Sequence, residues 1–230
     1  MIKEKFHEVE ARIAASMERR TRVPKDVPVK LIAVTKNHDV AAMREAIDAG
    51  ATDVGENRIQ EAKEKYAELD RDVTWHLIGH LQTNKAKVAV QLFDLIHSVD
   101  TPHLAKALDK EAGNIGKVQD ILVQVNLAKE DSKSGVYKED LREMLDLVES
   151  LPNLCLRGLM CIAPNYEDVE LCRPLFREMY EIYQQVKELP YQTANITYLS
   201  MGMTHDYPIA VEEGANIVRV GTAIFGPRQY

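Results

Sequence analysis

The sequence is poor in cysteine, in long apolar runs and in excess basic charge, and each shortage excludes a class of protein. Only Cys155, Cys161 and Cys172 are present among 230 residues. They show no CxxC spacing, which argues against a thiolate zinc site. An odd count without a framework excludes a disulfide scaffold and suits a reducing compartment. Cys155 and Cys161 stand in apolar runs, where a thiol behaves as a small hydrophobe. No stretch approaches the ~18 consecutive apolar residues of a membrane span. The N-terminus carries Glu4 early and lacks an apolar segment, so no secretory leader is expected. Lys and Arg total 29 against 36 Asp and Glu, a net charge of −7. That balance excludes a broad nucleic-acid or anionic-membrane surface. The expectation is a cytoplasmic protein that binds neither nucleic acid nor membrane.

What is present is an ordinary globular composition, 45% hydrophobic and 28% charged. Residues 2–20 are helical in pattern, with Phe6, Val9, Ile13 and Met17 spaced by three and four, and Pro24 follows their end. Short Val- and Ile-rich runs then alternate with amphipathic segments. The runs are residues 29–36, 53–57, 74–79, 95–100, 120–126, 154–162, 196–200 and 216–225. Between them lie helical stretches: Val40, Met43 and Ile47 with Gly50 as the stop, a charged segment to about 69, then 85–92. Further helices open at Pro102, where proline fits the first turn, and cover about 139–151 and 209–213. The strongest helical stripe is Leu171, Leu175, Met179, Ile182, Val186 and Leu189.

Strands alternating with helices imply parallel pairing. Eight such units with near-continuous apolar strands predict a closed (β/α)8 barrel in one domain, residues 1–230, preceded by an extra N-terminal helix. The alternative is an open sheet of fewer strands, because the second and fourth runs are weakly marked.

In such a barrel the chemistry sits at the C-terminal strand ends. Those ends carry Lys36, Asn57, Gly79-His80, Asn126, Met160-Cys161, Ser200-Met201-Gly202 and Gly221-Thr222. Lys36 shares the period-two phase of Ile32 and Val34. If that phase faces the interior, desolvation favours the neutral amine and Schiff-base chemistry. Otherwise Lys36 is a strand-end lysine turned to solvent. Arg219 interrupts the apolar run Ile217-Val218-Arg219-Val220, where a guanidinium needs a partner. It either faces the interior or pairs outward with a helix carboxylate. The small-residue loops Ser200–Thr204 and Gly221-Thr222 resemble a phosphate cradle of backbone amides and hydroxyls. A lysine, an arginine and a cradle suit a phosphorylated aldehyde such as pyridoxal phosphate. A phosphosugar aldolase or isomerase would share them but needs acid/base carboxylates, for which Glu56 is the one strong candidate. His76 and His80 lack a third ligand at metal spacing, so no metal is expected. Lys133 lies in a polar loop, solvated by default, with a transient second aldehyde site as the alternative. Met160, Met201 and Met203 read as pocket wall or core.

Six ordered segments carry a family resemblance: Ala33–Lys36, Gly55–Glu61, Trp75–Lys85, Gly158–Met160, Leu199–Thr204 and Val218–Gly226. Together they resemble the pyridoxal phosphate homeostasis protein family, also called the YggS-type or proline synthase co-transcribed homologue family. The match runs from about Lys30 to Gly226. The resemblance implies the barrel of fold type III, that of the alanine racemase N-terminal domain, standing alone. It implies that Lys36 carries pyridoxal 5′-phosphate as an aldimine and that Ser200, Gly221 and Thr222 hold the phosphate. Arg219 is then expected at the pyridine nitrogen, with Asn57, Met201, Gly202 and Thr204 also in the cofactor site. Thr204 stands where many members have Ser and keeps the hydroxyl. An arginine donates a hydrogen bond and leaves that nitrogen unprotonated, which makes the ring a poor electron sink. Racemases of this fold add a tyrosine base from a further domain, whereas this chain ends at Tyr230. The expected role is therefore binding and delivery of the cofactor, with no catalytic residues, by a monomer that serves pyridoxal-phosphate-dependent apo-enzymes. The alternative is a slow amino-acid racemase or transaminase.

Overall fold

The computed structural model describes residues 1–131 and 133–227; Tyr230 lies outside the described residues. Eight strands form a closed parallel barrel in sequence order. They are β1 (Lys30–Val34), β2 (Asp53–Glu56), β3 (Thr74–Leu77), β4 (Leu95–Val99), β5 (Gln119–Val125), β6 (Leu154–Cys161), β7 (Tyr198–Met203) and β8 (Ile217–Val220). Closure is made by β1 pairing with β8, which sets Ile32 opposite Arg219. The open-sheet alternative falls, because β2 and β4, the weakly marked runs, each pair on both sides.

An outer layer of helices follows the strands: α2 (Val40–Asp48), α3 (Ile59–Glu68), α4 (Ala86–Leu92), α5 (Pro102–Asn114), α6 (Leu141–Ser150), α7 (Arg173–Lys187), α8 (Tyr207–Glu212) and α9 (Thr222–Phe225). The preceding helix, α1 (Ile2–Glu18), buries Phe6, Val9 and Ile13 and packs on α2, α8 and α9. Its C-terminal side is fastened by Arg20, whose buried guanidinium donates to the carbonyls of Val211, Pro24, Val27 and Ala215 at 2.8–3.1 Å. Start signals are local and legible. Thr101 caps α5 by accepting from the Leu104 amide at 3.1 Å, with Pro102 following it.

Strand alternation splits the apolar residues into two cores. The larger lies between sheet and helices, and a smaller one of Ile32, Val34, Leu95, Leu122, Met160 and Ile217 plugs the barrel interior. The phase changes inside β6, where Ile121 pairs with Leu156 but Leu122 pairs with Gly158, leaving Arg157 as the extra residue of a bulge. The bulge lets both Leu156 and Leu159 face the helices while Met160 faces inward.

Three expectations shift. The seventh strand ends later than residue 200, because between Ser200 and Met203 it carries one residue more than β8 does between Ile217 and Arg219. The run 216–225 is a strand only to Val220, after which Thr222–Phe225 turn into α9 and bury Ile224. The stripe ahead of α7 breaks because Val169–Cys172 form a tight 3-10 turn, leaving Leu171 exposed.

Gly158 holds the β6 bulge at φ +145°, and a Cβ there would lie 1.8 Å from the Tyr198 carbonyl oxygen. Gly158→Ala combines backbone strain with overpacking and should destabilise the fold by about 3 kcal/mol or more. Urea unfolding monitored through Trp75 measures the loss.

Candidate functional site

The mouth at the C-terminal strand ends gathers residues from several strands. Lys36 lies two residues beyond β1, half-buried, in the phase of the interior residues Ile32 and Val34. Its backbone is braced on both sides. The Thr35 carbonyl accepts from Lys65 Nζ at 2.6 Å, and the Asn37 amide donates to Glu61 Oε1 at 2.6 Å. Lys65 in turn meets Glu56 at 2.7 Å and Glu61 at 2.8 Å. Neither Lys65 nor Glu61 stood out in the sequence, although their i,i+4 spacing on α3 was readable.

Glu56 is a correction. It points outward from β2 toward α3, fully buried, and accepts from the Thr35 hydroxyl and Lys65. Burial raises its pKa, opposed by Lys65 and Thr35. It buttresses the segment before Lys36 and does not face the mouth, so the phosphosugar reading loses its acid/base carboxylate. Asn57, one residue on, has the opposite phase. Its Oδ1 is buried with no hydrogen-bond partner. Gly79 lies so close that a Cβ there would sit 2.5 Å from the Asn57 carbonyl oxygen.

Arg219 faces the interior, 3% exposed. Its Nη1 donates to Ser200 Oγ at 2.5 Å and its Nη2 to the Cys161 carbonyl at 3.0 Å. The outward-arginine alternative is therefore excluded. Ser200 is also bonded to His97 Nδ1 at 3.0 Å and is fully buried. Its hydroxyl is thus engaged below the mouth. The hydroxyl beside the Gly221 amide, at 3.3 Å, belongs to Thr204. Gly202, at φ +102°, accommodates the extra residue of β7, and a Cβ there would meet Ala210 at 2.7 Å. The bulge carries Thr204 to the edge of the mouth.

Gly221 and Thr222 lie there too, at the start of α9, where the first amides have no partner within the turn. Met201 faces the other way. Its side chain is fully buried between sheet and helices, so it does not line the mouth. Met160 belongs to the interior plug, and Met203 is exposed.

The two histidines singled out in the third run diverge. His76 is buried in the interior, whereas exposed His80 lies 3.4 Å from Ser134 Oγ. Among the described residues no three His, Cys, Asp or Glu side chains gather at metal-binding distance. Lys133 Nζ is bonded to Glu130 at 2.6 Å and to the Ala163 carbonyl at 3.2 Å. A cleft of about 630 Å³ lies at the opposite end of the barrel, between α1 and the strand starts. It contains none of the strand-end residues, so the site is assigned to the mouth on residue chemistry.

Burial, with the Arg219 charge nearby, holds the His97 imidazole well below its usual range. The native ring stays neutral, while the unfolded chain takes up a proton below about pH 6.5. Stability contributed above that pH is therefore lost on acidification. Between pH 7.5 and 5.5 wild-type protein should lose about 1 kcal/mol more than His97→Gln, in denaturant titrations at the two pH values.

A family model described as the N-terminal domain of alanine racemase matches residues 11–229. The pyridoxal phosphate homeostasis protein of Aquifex aeolicus is 43% identical over 202 residues, covering 87% of this chain and 88% of the relative. That of Vibrio alginolyticus is 37% identical over 234 residues, covering 100% of this chain and 98% of the relative. The solved structure of PipY from Synechococcus elongatus with PLP bound has a TM-score of 0.85 at 40% identity, covering 98% of this chain and 100% of that one. Alanine racemase of Clostridium difficile shares the fold, with a TM-score of 0.71 at 13% identity over 95% of this chain and 59% of that one.

Proposed function

The chain belongs to the pyridoxal phosphate homeostasis protein family, built on the alanine racemase N-terminal domain, and from that premise we propose that it binds pyridoxal 5′-phosphate at the barrel mouth and holds it for delivery. The observation that carries the proposal is the buried Arg219 guanidinium on β8, beside the strand that ends in Lys36. The residues fit the group. Asn57 Oδ1 is a buried acceptor awaiting a donor, and Gly79 and Gly202 keep the backbone close where side chains would intrude.

When bound, the cofactor supplies an aldehyde for covalent attachment and a conjugated ring able to take up electrons. Lys36 is the amine that attaches it, on a backbone held by Lys65 and Glu61. Thr204, Gly221 and Thr222 hold the phosphate, with the Thr204 hydroxyl replacing the expected Ser200. Arg219 donates to the ring nitrogen and, being unable to lose its proton, keeps that nitrogen unprotonated. This restrains carbanion chemistry and supports a carrier in preference to an enzyme. We place its work in the cytoplasm, with pyridoxal-phosphate-dependent apo-enzymes as recipients and a monomer as the working form. Cys155, Cys161 and Cys172 are all free thiols, in keeping with a reducing compartment. Among the described residues no helix is long and apolar enough to cross a membrane.

Lys36→Ala should abolish covalent retention, read as loss of the imine absorbance and of the borohydride-fixed mass increment. Persistence of both in the variant would move the attachment to another lysine. Deuterium exchange at the α-carbon across a panel of amino acids should stay at background with loaded wild-type protein. Exchange at a turnover rate would make the protein a racemase-like enzyme.

Thr204→Ala should weaken pyridoxal phosphate by about ten- to a hundredfold, as expected for one hydrogen bond to a charged group. Pyridoxal, lacking the phosphate, should bind the variant as it binds wild type. Paired titrations of the two aldehydes decide it.

A further inference from the structure

The barrel interior is not wholly apolar. A file of polar side chains crosses it from the end opposite the mouth. Lys30 Nζ lies 3.3 Å from Asp53 Oδ1, which is 2.8 Å from His76 Nε2. His76 Nδ1 is 2.9 Å from His97 Nε2, and His97 Nδ1 is 3.0 Å from Ser200 Oγ. Ser200 receives Arg219, which ends the file below the mouth. From Asp53 to Arg219 every member is at most 3% exposed. Lys30, at 35% side-chain exposure, opens onto the cleft between α1 and the strand starts.

With both imidazoles neutral, the chemistry of the two ends sets the direction of every hydrogen bond between them. Arginine can only donate, so Ser200 Oγ accepts from Arg219. The serine proton is then available to His97 Nδ1. His97 must carry its own proton on Nε2 and donate it to His76 Nδ1. His76 therefore carries its proton on Nε2 and donates to Asp53, an ionised carboxylate that can only accept. Burial alone would raise the Asp53 pKa, but hydrogen bonds from His76 and Thr52 and the charge of Lys30 outweigh it and hold the carboxyl below its usual range. Another carboxyl near Arg219, Asp206, is itself raised by burial and accepts from the Met203 amide at 2.8 Å. One anion at the foot of the barrel and one cation at its top are thus joined by three neutral groups, with all their dipoles aligned.

We propose that Asp53, His76, His97 and Ser200 form a one-way hydrogen-bond relay that positions Arg219 against the ring nitrogen of the bound cofactor. The proposal rests on the reading that pyridoxal phosphate occupies the mouth. The relay residues touch no cofactor; they act through Arg219, fixing the plane of its guanidinium. A guanidinium without these partners would be free to turn toward the Cys161 carbonyl alone.

The first test needs no ligand and no variant. In nitrogen-15 spectra of the unloaded protein, both His76 and His97 should be neutral with the proton on Nε2. A proton on Nδ1 of either ring overturns the relay. The second test compares pyridoxal phosphate with its 1-deaza analogue, in which the ring nitrogen is replaced by C–H. Wild-type protein should favour the pyridine compound. Ser200→Ala should weaken pyridoxal phosphate by about tenfold and leave the analogue within about twofold. His76→Leu, remote from the mouth, should show the same one-sided loss. Equal weakening of both compounds would reduce these residues to packing and overturn the proposal, as would a wild-type protein that does not distinguish the two. If His76→Leu does not fold, Ser200→Ala and the wild-type tautomers decide. Wild-type protein that binds neither compound overturns the cofactor reading and the proposal with it. Nδ1 tautomers in a protein that binds both overturn the relay alone.

Discussion

A guanidinium buried in the middle of a β-barrel is the constraint around which the rest of this molecule is arranged. Leaving a charge unpaired in such a place is prohibitive, so the surroundings of Arg219 must satisfy it. Two acceptors do so directly, the Ser200 hydroxyl and the Cys161 carbonyl. Neither carries charge. The Asp206 carboxyl lies near enough to act on the Arg219 charge, and a further carboxylate, Asp53, near the opposite end of the barrel, connects to Arg219 through His76, His97 and Ser200. Low-dielectric surroundings strengthen each of these bonds, and each polarises the next.

That arrangement exists only because the sheet closes. His97 on β4 and Ser200 on β7 are 103 residues apart and meet at 3.0 Å across the barrel axis. In an open sheet of the same strand order they would lie three strands apart. Closure also brings β1, which leads into Lys36, beside β8, which carries Arg219. Parallel pairing puts every strand's C-terminal end at the same mouth. The helices complete the design from outside: Lys65 and Glu61 on α3 hold the backbone either side of Lys36 without entering the interior.

Much of this was legible from period and phase. The eight runs and the closed barrel follow from alternation, which gives Lys36 the phase of Ile32 and Val34 without saying which way that phase faces, and Arg219 announces itself as a charge within an apolar run. The same clue, a polar residue inside an apolar run, marks His76 between Trp75 and Leu77 and His97 after Ile96. Glu56 stands in a polar Gly-Glu-Asn setting that hides its phase. Gly55 and Asn57 are the inward pair of that strand, which leaves Glu56 outside. The relative depth of Ser200 and Thr204 turns on a different feature. The bulge between Ser200 and Met203 adds a residue that no hydrophobic pattern records. Only a gain of one position carries the second hydroxyl to the mouth and leaves the first below it.

The character of the relay bears on what the barrel is for. Arginine cannot give up its proton, and burial holds the His97 imidazole beneath it neutral. No member is placed to hand a proton to a ring nitrogen or to take one away as charge develops there. A catalyst of carbanion chemistry gains from a carboxylate at that nitrogen, which lets the ring accept electrons. An interior that instead fixes a permanent donor and braces the neighbouring lysine favours a ground state. On the proposed reading, holding a reactive aldehyde without spending its reactivity is what a carrier requires.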